Sequence, residues 1–310
     1  MRWMISLAII LAVASGAEAV VLHSDAMPGP DERPHNGMVG RWGSSGSCVV
    51  VHPEWVIASI HQGGGVGTTV TIDRVAYRVV EVHDSSYDLR LARLMALDGR
   101  PADLEHFADL SWETTSLVNR HVVLGGFGKG RGAELLNFGI VYGYQWAGTS
   151  NSVQRWGTNI IDAIYSNILV ADFDGPGDPD STPHKAALAA WDSGGGWFVM
   201  NDETGRWEVV GLNVSTERSG ESRFRSKTNP LVETKDRSFA LAVATCADWI
   251  VGITGVVELE PLLPSDPEIE QATLVVVGGT GGGVYPVGSL VSIVADVPEG
   301  CRFIEWAGDV

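Results

Sequence analysis

The sequence predicts an all-β protein, a sandwich or barrel of many short strands. Three observations lead to this. Glycine supplies 38 of the 310 residues, well above the usual ~7%. Short β-branched runs at 48–51, 68–72, 76–82, 121–124 and 208–212 are separated by clusters of Gly, Asn, Asp or Ser. Strands of that length and spacing suit a sandwich or barrel. Helical spacing, in turn, is clear in one late segment, 238–251, where Phe239, Val243, Ala247 and Ile250 fall on one face. Ser238 is placed to cap its start and Gly252 to stop it.

Along the chain, residues 1–19 have the three parts of a secretory signal. Arg2 gives a positive n-region, 5–14 an apolar stretch, and Ala17-Glu18-Ala19 a small-x-small cleavage site. The apolar stretch is too short to span a bilayer, which takes roughly 20 residues. Cleavage after Ala19 would start the mature chain at Val20, and localisation would be extracellular or periplasmic. Residues 256–271 form an acidic linker in which Pro261, Pro264 and Pro267 interrupt five acids. A second, strand-like module runs from 272 to 310.

The formal net charge of −17 argues against nucleic-acid binding, which requires a basic patch. Three cysteines (Cys48, Cys246, Cys301) are an odd number, far apart and without metal spacing. They are expected to be incidental core thiols, so stability must come from a packed apolar core. The eight histidines contain no His-Glu-x-x-His and no His-x-His, which argues against a zinc hydrolase. The loop 172–180 holds Asp172, Asp174, Asp178 and Asp180 but lacks the twelve-residue calcium pattern. Its several oxygens leave calcium open as one reading, and a solvated acidic loop is the reading expected first.

Three local frames carry chemistry. Ser193 lies in Trp191-Asp192-Ser193-Gly194-Gly195-Gly196, before the apolar run Trp197-Phe198-Val199-Met200. His61 closes the run Trp55-Val56-Ile57-Ala58-Ser59-Ile60-His61, just before a glycine loop. Asp88 precedes Leu89-Arg90-Leu91-Ala92-Arg93-Leu94, which alternates like a half-buried strand. A serine hydroxyl needs a base to attack a carbonyl, and the base needs an orienting group; this chemistry calls for no metal or other cofactor. The order His61, Asp88, Ser193 differs from that of subtilisins and α/β-hydrolases. Trp191 also breaks the Gly-x-Ser-x-Gly elbow of the hydrolases.

Together these segments resemble the trypsin/chymotrypsin-like serine proteases. The resemblance covers about 20–255 and extends to the late Trp249-Ile250 helix. It implies two six-stranded antiparallel barrels, a C-terminal helix, and a secreted, monomeric endopeptidase acting on protein or peptide substrates. It also implies a pair between the freed Val20 amine and Asp192. Val20 precedes His61 by 41 residues, close to the family's spacing. The oxyanion hole would use the N–H groups of Trp191 and Ser193, and Ala187, Val214, Ser215 and Thr216 would form the substrate pocket. Alanine at 187 gives no acid for a basic side chain, so an apolar or small one is expected.

Several residues depart from the family pattern. Trp191 replaces a glycine whose backbone is tightly constrained. A bulky residue held in a glycine conformation costs on the order of 1–3 kcal/mol. If the N–H turned away instead, one lost donor would cost ~10²–10³ in turnover. Trp191 is therefore also the feature that favours a second class, a non-catalytic homologue acting as a secreted or surface binding protein. Gln62 and Gly46 stand near positions where relatives carry bridging cysteines. The module 272–310, with Gly278 to Gly283 and a closing Trp306-Ala307-Gly308-Asp309, resembles a partial glycine-rich β-repeat of internalin-type bacterial surface proteins. That implies cell-surface association, and the glycine run is expected to be a hairpin turn.

Overall fold

The computed structural model describes residues 20–24, 26–113, 115–149, 151–224, 234–255, 271–286, 291–299 and 301–307. The chain divides into two compact units, Met1–Leu259 and Glu260–Val310. Residues 1–19 and most of the linker, 256–270, lie outside the described residues. The boundary between the units falls within the sequence expected to be that linker.

The first unit opens on β1 (Val21–Leu22), paired antiparallel with Ala186–Ala187 far along the chain. Six strands then close a barrel: β2 (Val39–Trp42), β3 (Gly46–His52), β4 (Trp55–Ala58), β5 (Thr69–Ile72), β6 (Val75–Asp84) and β7 (Arg90–Ala96). Their order around it is β2-β3-β4-β7-β6-β5, and β2 meets β5 with Trp42 opposite Val70. Side chains alternate between the two faces of a strand, and β3 and β4 are buried on both. Cys48, Val50, Val56, Ala58, Ala92 and Leu94 fill the barrel. Their neighbours Val49, Val51, Trp55, Ile57 and Leu91 point outward into a larger core shared with the second sheet.

The remaining strands of this unit are β8 (Asp109–Leu110), β9 (His121–Gly126), β10 (Gly130–Asn137), β11 (Ile140–Ala147), β12 (Arg155–Ile160), β13 (Ala163–Tyr165), β14 (Ile168–Asp172), β15 (Ala186–Ala187), β16 (Gly196–Met200), β17 (Trp207–Thr216), β18 (Glu221–Arg223) and β19 (Arg237–Ala242). Seven of them run β12-β9-β16-β17-β19-β14-β13, with β8 beside β17. Only Ile161 and Asp162 separate β12 from β13. The Ile161 N–H turns to Arg120 O at 3.1 Å and the Asp162 N–H to Val170 O at 2.8 Å. The chain changes partner there, so the sheet is a half-barrel and only the first of the two expected barrels is closed. Leu124, Trp197, Val199, Val210 and Ala240 fill its inner face.

The late helix is shorter than its apolar spacing suggests. Arg237–Ala242 is strand β19, paired with β14 and β17, and α1 runs Ala247–Thr254. Ser238 therefore does not cap it; the Ser238 hydroxyl instead accepts the Leu188 N–H at 3.0 Å. The stop is Gly255, at φ 79°, and Gly252 lies inside the helix. Pairing on two sides outweighs the local preference of a segment that can satisfy either period. Ile250, with Trp249 and Ile253, packs α1 on the core between the sheets.

The second unit pairs β20 (Gln271–Leu274) with β22 (Gly283–Pro286), and β21 (Gly279–Thr280) with β23 (Val294–Ala295). The glycine run thus serves two strand pairs instead of making one hairpin turn. A Cβ on Gly279 would lie 2.6 Å from the Trp306 ring, so this glycine admits the tryptophan. Cys48 and Cys246 are free and buried as expected, whereas Cys301 is free and exposed. Among the described residues no helix is long and apolar enough to cross a membrane.

Candidate active site

His61 and Asp88 come from the closed barrel and Ser193 from the half-barrel, so the three meet along the seam. β4 delivers His61 on a single 3-10 turn, Ile60–Gln62. Asp88 follows a tight turn, in which the Ser85 hydroxyl donates to Tyr87 O at 3.0 Å, just before β7. Ser193 lies in the turn between β15 and β16. His61 Nδ1 is 2.5 Å from Asp88 Oδ2, and its backbone N–H donates to Asp88 Oδ1 at 2.9 Å. His61 Nε2 is 2.8 Å from Ser193 Oγ. With the Nδ1 proton directed at the carboxylate, Nε2 is left to accept the Ser193 hydroxyl proton. The His61 and Asp88 side chains remain 44% and 35% exposed, so the acid is held by hydrogen bonds at an open seam and is not buried.

Trp191 keeps the glycine conformation. Its φ is +78°, in the left-handed region, a strain on the order of 1–3 kcal/mol for a bulky residue. The peptide before Trp191 and the one after Asp192 are both anchored through their carbonyls. The Ala190 carbonyl accepts the Lys129 N–H at 2.8 Å, and the Asp192 carbonyl accepts the Gly195 N–H at 2.9 Å and Asn213 Nδ2 at 3.0 Å. In a trans peptide the N–H points opposite to the carbonyl. Those two anchors therefore turn the Trp191 and Ser193 N–H groups away from the protein. Among the described residues, neither N–H has an acceptor.

Asp192 is fully buried behind this turn. Its carboxylate accepts the N–H groups of Gly128 (2.8 Å) and Ala189 (2.9 Å), and also the backbone N–H of Val20. Burial pushes its pKa from 3.8 up to about 7, while those hydrogen bonds and the nearby Arg155 charge pull the other way. Val20 is itself fully buried, at φ 48°. The two residues expected to pair are thus in contact through the Val20 nitrogen.

Beside Ser193 lies a cleft of about 350 Å³, lined in part by Leu188, Ala189, Ala190, Asn213, Ser215 and Thr216. Two of the expected pocket residues, Ser215 and Thr216, line it. Ala187 and Val214 do not: Ala187 is buried in β15 against Val21, and Val214 packs on the core. Two charged residues at the cleft are ion-paired, Glu217 with Arg237 at 3.0 Å and Arg218 with Asp236 at 2.5 Å. The acidic loop is solvated only in its later part, where Pro176, Gly177, Pro179 and Asp180 are exposed. Asp174 is buried and bound by both Lys185 and Lys235. Among the described residues, no cluster of three or more His, Cys, Asp or Glu is placed to hold a metal ion.

Four supporting residues escaped the sequence. Ser47, Gln62, Lys129 and Asn213 hold the Ser193 turn from outside it. Gln62 alone left a signal, because it and Gly46 stand out in sequence as departures from the pattern that the chain resembles. A Cβ on Gly46 would lie 2.5 Å from Gln62 Oε1, so the glutamine fills that space. Gln62 Nε2 also donates to Ser47 O at 3.0 Å. Comparison with models of known protein families gives no match, and neither does comparison with curated proteins.

Proposed function

We propose that this chain is a secreted serine endopeptidase of the chymotrypsin-like type. The observation that carries the reading is the chain of contacts Asp88–His61–Ser193, at 2.5 and 2.8 Å, beside two N–H groups with no acceptor among the described residues. In this mechanism Ser193 Oγ attacks the scissile carbonyl carbon and His61 Nε2 takes the hydroxyl proton. The carbonyl oxygen becomes an oxyanion held by the Trp191 and Ser193 N–H groups. Asp88 holds the imidazole in the tautomer that can receive the proton and stabilises the imidazolium. Collapse of the tetrahedral adduct breaks the C–N bond, and His61 returns the proton to the leaving amine. Water then hydrolyses the acyl-enzyme by the same steps. The apolar wall of Leu188 and Ala189, with the nearby charges already paired, suits an apolar or small side chain at the cleaved residue.

Cleavage after Ala19 would convert the Val20 N–H at Asp192 into an ammonium, so the signal cleavage itself would complete the site. N-terminal sequencing of the secreted protein should find Val20 first, and a start well away from it would sink this route. The rival reading is a binding protein on the same framework, favoured by a strained tryptophan at the oxyanion position. A fluorophosphonate probe separates the two. Labelling of wild type but not of Ser193→Ala supports the endopeptidase; a folded, processed protein that stays unlabelled supports the binding protein.

A further inference from the structure

Ser47 is fully buried on β3, in the closed barrel, yet its N–H and its hydroxyl are spent on the half-barrel and its turn. Its N–H donates to Ser193 O at 2.8 Å. Its hydroxyl accepts the Phe127 N–H at 2.9 Å, which fixes the oxygen and turns the hydroxyl proton toward Trp191 O, 3.1 Å away. Its carbonyl accepts Gln62 Nε2. Trp191 therefore sits between two restrained peptides. The one before it is tied by Lys129, and the one after it by the Ser47 hydroxyl. Relaxing φ from +78° toward the negative values that a tryptophan prefers requires one of those peptides to turn, and so one of these bonds to break. The Lys129 side chain adds a cation–π contact, with Nζ 5.1 Å from the centre of the Trp191 ring.

We infer that Ser47 is a positioning residue that holds Trp191 in its left-handed conformation, so that its N–H stays available to the oxyanion, a constraint that a glycine at this position would not need. The inference rests on the endopeptidase reading. Because a glycine adopts positive φ without strain, the role of Ser47 is bound to the identity of residue 191.

A double-mutant cycle on the processed full chain tests this coupling. The readout is the second-order rate constant for phosphonylation by a fluorophosphonate probe, whose phosphoryl oxygen occupies the oxyanion position. Ser47→Ala should slow phosphonylation ~10–100-fold, short of or equal to the loss of one donor. In the Trp191→Gly background the same change should cost less than about 3-fold. Melting temperatures of all four proteins, measured alongside, report any general loosening. An equal loss in both backgrounds assigns Ser47 a merely structural role and overturns the inference, as does no loss in either. A wild type that fails to react while Trp191→Gly reacts shows that the Trp191 N–H is not held in place, and overturns it too. If neither reacts, the endopeptidase reading falls and the inference falls with it.

Discussion

Asp192 shows how one residue's environment sets the pH response of the chain. While residues ahead of Val20 remain attached, the Asp192 carboxyl receives only N–H donors, and burial raises its pKa from 3.8 to about 7. The folded state then binds a proton that the unfolded state releases near 3.8. Ionisation works against folding across that window, so stability falls as pH rises from about 4 to about 7, at roughly 1.4 kcal/mol per unit. Above the window the penalty is complete and constant. Freeing the Val20 amine would reverse the sign, because an adjacent ammonium favours the carboxylate. Urea unfolding of the uncleaved protein at pH 5 and pH 7 should show the loss, and Asp192→Asn should flatten it. Parallel pH dependence in the two proteins would show that Asp192 does not titrate in this way.

At the scale of elements, the site depends on a brace between a 3-10 turn and two glycines. The Gln62 side chain lies between Gly46 and Gly194, and a Cβ on either glycine would approach Gln62 within 3 Å. Gln62→Ala removes that filling and leaves the Ser47 carbonyl without this donor. The expected cost is about 1–3 kcal/mol in unfolding free energy, read as a lower urea midpoint at unchanged slope. An unchanged midpoint would remove Gln62 from the brace. The brace was half legible. Gln62 and Gly46 stood out as departures from a family pattern, but nothing in a linear sequence tells where a glutamine amide points. The strand cores were easier to read, because β3 and β4 carry continuous apolar runs buried on both faces. The helix start was misread at Ser238, since a segment rich in alanine and spaced apolar residues fits either period until its partners β14 and β17 are known.

At the scale of the molecule, the order His61, Asp88, Ser193 was legible because each residue is adjacent to an apolar strand with a recognisable frame. The reason they meet is not local. Two sheets share one core, in which Val49, Ile57 and Leu91 of the closed barrel pack with Phe198, Val209 and Leu212 of the half-barrel, and the site lies along that seam. The large apolar clusters and α1 all fall between Val20 and Thr254. A core of that size is enough for independent folding. A chain ending at Gly255 should therefore unfold in one cooperative transition and react with a fluorophosphonate probe within about twofold of the full-length rate, because no residue placed at the site lies beyond α1. Circular dichroism melting and labelling rates of the two chains, compared side by side, measure this directly. A truncated chain that fails to melt cooperatively, or reacts more than tenfold slower, would make the second unit part of the working fold.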